Sequence, residues 1–123
     1  MKEISPQMQN QIAQYQQLQQ QLQMLATQRM QLEAKVREIE SSLQELEKVG
    51  PDTTVYKSIG TLLVRADDRG AVKSELEEHK ETISIRVSAI QKQETSLTER
   101  FEHLQQKISA ALGGPSEEEG KEA

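Results

Sequence analysis

Two runs of heptad-spaced apolar residues, divided by one short segment, constrain the fold of this chain more than any other feature. In the first run, steps of three and four residues connect twelve positions from Met8 to Leu46, and ten of them are apolar if Tyr15 is counted. In the second run, nine of eleven positions from Leu76 to Ala111 are apolar. Such spacing is typical of helices that pack along a narrow coiled-coil seam. The chain is therefore predicted to be mainly α-helical, with two long helices.

Capping and breaking residues stand at the ends of both runs. Ser5-Pro6 suits an N-cap followed by the first helical position, and Asp67 or Asp68 can cap the second helix. Gly50-Pro51 and Gly113-Gly114-Pro115 cannot continue a helix. The predicted division is an N-terminal coiled-coil helix over 1–48, a β-hairpin region over 49–70, a C-terminal coiled-coil helix over 71–112 and a disordered acidic tail over 113–123.

The segment between the helices has the composition of a single β-hairpin. Residues 53–59 and 61–66 are rich in β-branched side chains and meet at Gly60. A glycine that opens a two-residue connection suits a type II′ turn, and a three-residue loop is the alternative. An isolated hairpin is marginally stable in water, and the run Leu62-Leu63-Val64 places apolar side chains on both faces. We expect it to pair with other chains; the alternative is that it packs on its own helices.

The equal lengths of the two runs and the short insert between them predict an antiparallel two-helix coiled coil. Partner positions then have a constant register, because their residue numbers sum to 122 or 123 from Leu46 with Leu76 to Leu18 with Leu104. The alternative is that each seam pairs in parallel with another chain.

Arg29 and Glu94 interrupt the two apolar seams, and the same register places them in one layer. A polar layer weakens a coiled coil relative to Leu but penalises slipped registers, so we predict that the two residues pair. The alternative is that both side chains extend to water. A double-mutant cycle with Arg29→Leu and Glu94→Leu should measure a coupling of about 0.5–1.5 kcal/mol at low salt. A coupling of zero within error would remove the pair and the register with it.

The free ends of the two helices are predicted to form a neutral, partly apolar surface. No residue between Glu3 and Arg29 is charged, and glutamines dominate the polar positions there. Where the seam ends without cover, some apolar side chains should stay exposed. The tail after Pro115 carries four Glu and one Lys, and it either solubilises the chain or docks on a basic partner.

Composition excludes several classes of function. Only 34% of the residues are hydrophobic and 2% aromatic, too few for a conventional globular core. The chain has no Cys, and His79 and His103 lie 24 residues apart without a clustered pair of carboxylates at ligand spacing, so no metal, cofactor or catalytic site is predicted and an enzyme is not expected. A net charge of −5 without a basic patch disfavours nucleic acid. With no membrane-spanning run and no leader-type segment, we expect a soluble cytoplasmic protein.

The segment VYKSIGTLLVRAD between two long heptad helices resembles the β-type subunit of prefoldin, over about residues 8–112. The resemblance implies that hairpins of α-type and further β-type subunits assemble into an intersubunit β-barrel of a hetero-hexamer. It also implies an ATP-independent chaperone, whose helix ends hold unfolded client proteins and deliver them to a group II chaperonin. No cofactor, nucleic acid or membrane is implied.

By position, the resemblance gives roles to two groups of residues. Subunit assembly is expected at Tyr56, Ile59, Leu62, Leu63 and Val64. Client binding is expected at Ile4, Met8, Ile12, Ile108 and Leu112.

Two other classes of function stay open. One is a structural coiled-coil spacer without client binding. The other is a nucleic-acid-binding helical arm, which the acidic balance of the chain disfavours.

Overall fold

The computed structural model describes residues 4–113, which form two helices and one β-hairpin. The elements in chain order are α1 (Pro6–Lys48), β1 (Val55–Ile59), β2 (Leu62–Ala66) and α2 (Arg69–Ala111). Each helix has 43 residues, so the predicted mainly helical fold with a single hairpin is confirmed. Apart from Gly113, the predicted acidic tail lies outside the described residues.

Local hydrogen bonds explain where both helices begin. The amide of Met8 donates to Ser5 Oγ at 3.0 Å, so Ser5 is the N-cap and α1 begins at Pro6. The amide of Ala71 donates to Asp68 Oδ1 at 3.1 Å, which makes Asp68 the cap of α2. The helix therefore begins at Arg69, two residues before the start predicted for the C-terminal helix.

Side-chain burial follows the predicted seams. All twelve seam positions of α1 are buried or half-buried, as are ten of the eleven in α2; the exception is Ala111, the last helical residue. The most deeply buried apolar side chains all belong to these seams: Met8, Leu18, Ile39, Ile83 and Ile90. The core is thus a stripe along each helix and contains no large, fully buried side chain among the described residues.

The chain divides into two compact units, each with a part of both helices. The hairpin unit comprises residues 29–89, and the terminal unit comprises the described residues 4–28 and 90–113. In the hairpin unit, Glu40 pairs with Lys80 at 3.1 Å and Glu47 with Lys73 at 3.7 Å. Because one number rises as the other falls, the helix segments of this unit run antiparallel.

Burial and ring stacking can be compared with the predicted register at two points. Ile39 and Ile83, predicted partners in the hairpin unit, are only 4% and 6% exposed. In the terminal unit the rings of Tyr15 and Phe101 stack, with centroids 4.5 Å apart and an angle of 24° between the rings. Their numbers sum to 116 rather than 122 or 123, so this aromatic contact departs from the simple register.

Candidate functional site

A tight turn gives the hairpin its register. Ile59 pairs with Leu62, so Gly60 and Thr61 alone connect the strands. Gly60 has a φ of 58°, whereas no described residue other than glycine has a positive φ. A positive φ at the first turn residue and not at the second is the pattern of the predicted type II′ turn.

The pairing sorts the side chains of the hairpin onto two faces, because successive residues of a strand point in opposite directions. The face that includes Lys57 consists of Val55, Lys57, Ile59, Leu62, Val64 and Ala66. The opposite face consists of Tyr56, Ser58, Leu63 and Arg65. Apolar side chains therefore occur on both faces, as the sequence predicted.

All five residues expected to serve assembly are exposed in the isolated chain. The exposed fractions are Tyr56 61%, Ile59 52%, Leu62 64%, Leu63 73% and Val64 43%. Only Val55 and Ala66, at the base of the hairpin, are half-buried. The hairpin therefore does not bury its apolar residues on its own helices, and its outer part presents an uncovered apolar surface.

Two cationic side chains anchor the base of the hairpin. Lys57 Nζ of β1 forms an ion pair with Glu75 Oε2 of α2. The Arg69 guanidinium donates to the carbonyl oxygens of Leu46, Val49 at 2.9 Å and Gly50 at 2.8 Å. We call this second arrangement the Arg69 clasp. It joins the first residue of α2 to the last turn of α1, from which the hairpin emerges.

The Arg69 clasp supplies hydrogen-bond donors and positive charge at the C-terminal end of α1. The last carbonyl groups of a helix have no partner within it and carry the negative end of its dipole, which a guanidinium complements. At the start of its own helix, Arg69 is unfavourably placed for the dipole, and the first turn of α2 contains no acidic residue. The role of Arg69 was not predicted from the sequence, although a cation at the start of its own helix could have indicated a partner outside that helix.

A groove of about 820 Å³ lies between β1 and the adjacent helix ends, within the hairpin unit. Its apolar lining includes the seam residues Leu46 and Leu76, then Val49 and Val72, and Val55 and Tyr56 of β1. The uncovered surface of the hairpin is therefore continuous with apolar side chains of the helices, which enlarges the area that an assembling partner could cover.

The residues expected to bind clients differ in accessibility. Ile4 and Leu112 are 47% and 63% exposed, Ile12 and Ile108 are half-buried, and Met8 is only 8% exposed. Met8 therefore belongs to the packed stripe of α1 in the isolated chain. The most accessible apolar side chains of this group are Ile4 and Leu112, both in the terminal unit.

Residues 4–113 offer little for other kinds of site. No group of three or more His, Asp or Glu side chains in this part of the chain could hold a metal ion. Neither described helix is long and apolar enough to cross a membrane.

One contact of the predicted polar layer lies within a single helix. Arg29 Nη1 lies 3.0 Å from Glu33 Oε1 on α1. The coupling of Arg29 with Glu94 stays a prediction.

Comparison with known proteins gives one consistent result. A family model described as "Prefoldin subunit" matches residues 9–114. The chain is similar to "Prefoldin subunit beta" of Methanosarcina acetivorans, with 47% identity over 90% of this chain and 94% of that protein. It is also similar to the protein of that name from Archaeoglobus fulgidus, with 50% identity over 91% of this chain and 96% of the relative.

A solved structure shows the same fold. The prefoldin beta subunit from Thermococcus strain KS-1 superposes with a TM-score of 0.82 at 35% sequence identity, covering 91% of this chain and 97% of that one. The prefoldin beta2 subunit of the same strain has a TM-score of 0.68 at 21% identity, which shows a common fold alone.

Proposed function

This chain belongs to the prefoldin family, as a β-type subunit, and on that basis we propose that it works in the cytoplasm as part of an ATP-independent holding chaperone. The proposed complex binds non-native proteins at the helix ends and delivers them to a group II chaperonin. Prefoldins are chaperones rather than enzymes, which fits a chain whose functional surfaces are apolar patches.

We place assembly at the hairpin, and the observation that carries this is the exposure of its five apolar residues in the isolated chain. A two-stranded sheet with unpaired edges is unstable alone and is completed by strands from other chains. The proposed partners are α-type prefoldin subunits and further copies of this chain, in a hetero-hexamer closed by an intersubunit β-barrel. A closed barrel removes the exposed strand edges.

Client binding is placed at the free helix ends, where Ile4 and Leu112 are exposed and no charged residue of α1 precedes Arg29. Unfolded chains expose apolar side chains, so they are attracted to such a surface by the hydrophobic effect. On the α1 side of this surface the polar residues are uncharged, so that side does not select clients by charge, which suits a chaperone that takes many of them.

The test is aggregation suppression by the complex assembled with an α-type subunit. The variant Ile4→Ser with Leu112→Ser should need about fivefold more complex to hold the same unfolded client, because several copies each lose two apolar contacts. Its helical content, measured by circular dichroism, should stay unchanged, since both residues are exposed. Replacing Met8, Ile12 and Ile108 as well should reduce holding further but also destabilise the helices, because Met8 is buried.

A matched control uses apolar residues of similar exposure elsewhere on α1. Met24 and Met30 are 62% and 56% exposed and lie outside the seam. Their replacement by Ser should leave holding unchanged. If the Ile4 and Leu112 variant holds clients as well as its parent, the client site lies elsewhere. If the parent complex itself suppresses no aggregation, the chain is a structural coiled-coil spacer.

A further inference from the structure

A basic stripe follows one face of α2 in the terminal unit. Arg100, His103 and Lys107 recur at steps of three and four residues, and all three are exposed. They line one side of a groove of about 410 Å³. The floor of this groove includes Leu18 of α1 and Leu104 of α2. We call it the terminal groove.

The two permanently charged residues of the stripe, Arg100 and Lys107, have no acidic partner among residues 4–113, whereas Glu99 lies four residues before His103. Neither Arg100 nor Lys107 has an acidic residue three or four positions away on its helix. Among residues 4–113, neither forms an ion pair, whereas Lys73 and Lys80 of the hairpin unit both do. The terminal groove therefore attracts an acidic ligand.

The opposite wall of the terminal groove is neutral and polar. It is formed by Gln14, Gln17 and Gln21 of α1. Amide groups donate hydrogen bonds to carboxylates and do not repel them. Glu99 and Glu102 lie on α2 but do not line the groove, so an acidic segment within it meets no lining carboxylate.

We infer that the terminal groove binds the acidic C-terminal segment of its own chain, with Glu117, Glu118 and Glu119 beside the basic stripe. The distances allow this. Lys107 and His103 precede Gly113 by six and ten residues, about 9 and 15 Å along a helix. Glu117 to Glu119 follow Gly113 by four to six residues, which extend by up to about 14–22 Å.

The end of α2 and the tether favour this occupant over a separate acidic protein. Gly113 has a φ of 100°, so the chain leaves the helical path at that residue instead of continuing along the axis. A segment tied so closely to its binding site has an effective concentration of about a millimolar, which makes even weak ion pairs significant. The segment after Pro115 carries a net charge of −3, which complements the stripe.

Zero-length cross-linking of the full chain with a carbodiimide tests this inference without any client protein. The reagent couples a carboxylate to an amine only when the two are in contact. We expect Lys107 to be coupled to Glu117, Glu118 or Glu119, as found by peptide mass spectrometry. Because exposed ion pairs are individually weak, Arg100→Gln should lower the yield about two- to fivefold. Salt at 1 M should abolish the coupling, since the Debye length falls to about 3 Å.

A charge-matched control moves the lysine around the helix. In the variant Gln105→Lys with Lys107→Gln, the amine keeps its reach from the tail but turns by about 200° away from the terminal groove. Its cross-linking should be several-fold weaker. Equal yields from positions 105 and 107 would show a tail without a preferred site and overturn the inference.

Isotope mixing identifies the source of the tail. Chains with ¹⁴N and ¹⁵N are mixed, refolded and cross-linked; docking within one chain gives only light–light and heavy–heavy peptides. A large share of mixed peptides would mean that the groove takes the tail of another copy, and it would refute the intramolecular site. Since no client takes part, the result does not depend on whether the proposed holding function is correct.

Discussion

Leu63→Asp is expected to break the assembled complex into free subunits while both helices stay folded. Leu63 is 73% exposed in the isolated chain and lies on the face of the hairpin opposite Lys57. If a neighbouring strand covers it, the substitution buries a carboxylate without a partner, at a cost of roughly 3 kcal/mol or more for each interface. That corresponds to a loss of about 100-fold or more in association. Native mass spectrometry would show the change in subunit number.

The two faces of the hairpin can be tested separately. Val64→Asp places the charge on the face of Lys57, so comparison with Leu63→Asp shows which face of the hairpin is buried in the complex. Ile85→Asp is the matched control, because Ile85 is 63% exposed on α2 and lies outside the hairpin. It should leave the complex intact. Intact complexes for both hairpin variants would refute assembly through the hairpin.

Arg69→Met should lower the free energy of unfolding by about 2–4 kcal/mol. The change keeps an unbranched side chain and a good helix former, but it leaves the carbonyl group of Leu46 in the last turn of α1, and those of Val49 and Gly50 just after it, without their charged donor. Urea unfolding at fixed subunit concentration measures the loss. Assembly should weaken too, since the clasp holds the helix end from which the hairpin emerges.

Two further substitutions isolate the cause. Arg69→Lys keeps the charge but has no planar fork of donors, so it should recover only part of the lost stability. Arg86→Met removes a guanidinium from an exposed position of the same helix and should change stability by less than about 0.5 kcal/mol. Equal stability of the Arg69→Met variant and its parent would mean that water replaces the clasp without cost.

The position of the hairpin could be read from the sequence, but its attachment to the helices could not. Gly60 and the flanking β-branched residues act within a few residues of each other, so the two-residue turn follows from local chemistry. The partners of Arg69 and Lys57 lie 18 to 23 residues away along the chain. Only the packed helix ends bring these groups together.

The exposure of apolar side chains at the free helix ends also could not be predicted from the sequence. Ile4, Met8 and Leu112 looked alike as apolar residues near the end of a seam, yet their exposed fractions are 47%, 8% and 63%. Met8 occupies a seam position inside α1, whereas Leu112 lies beyond the last residue of α2. The exposure of a terminal side chain depends on which neighbours extend past it, which heptad spacing does not specify.

The two helices, with their apolar stripes and caps, and the hairpin between them could be predicted from the sequence alone. Each of these follows from periodicity or from turn and capping residues, which act over a few positions. Helix packing brings together the groups of the Arg69 clasp, the Lys57–Glu75 ion pair and the Tyr15–Phe101 stack, which the sequence pattern did not predict. The terminal groove belongs to the same group. These contacts join side chains far apart in the chain, and their geometry depends on how the helices pack rather than on spacing within either one.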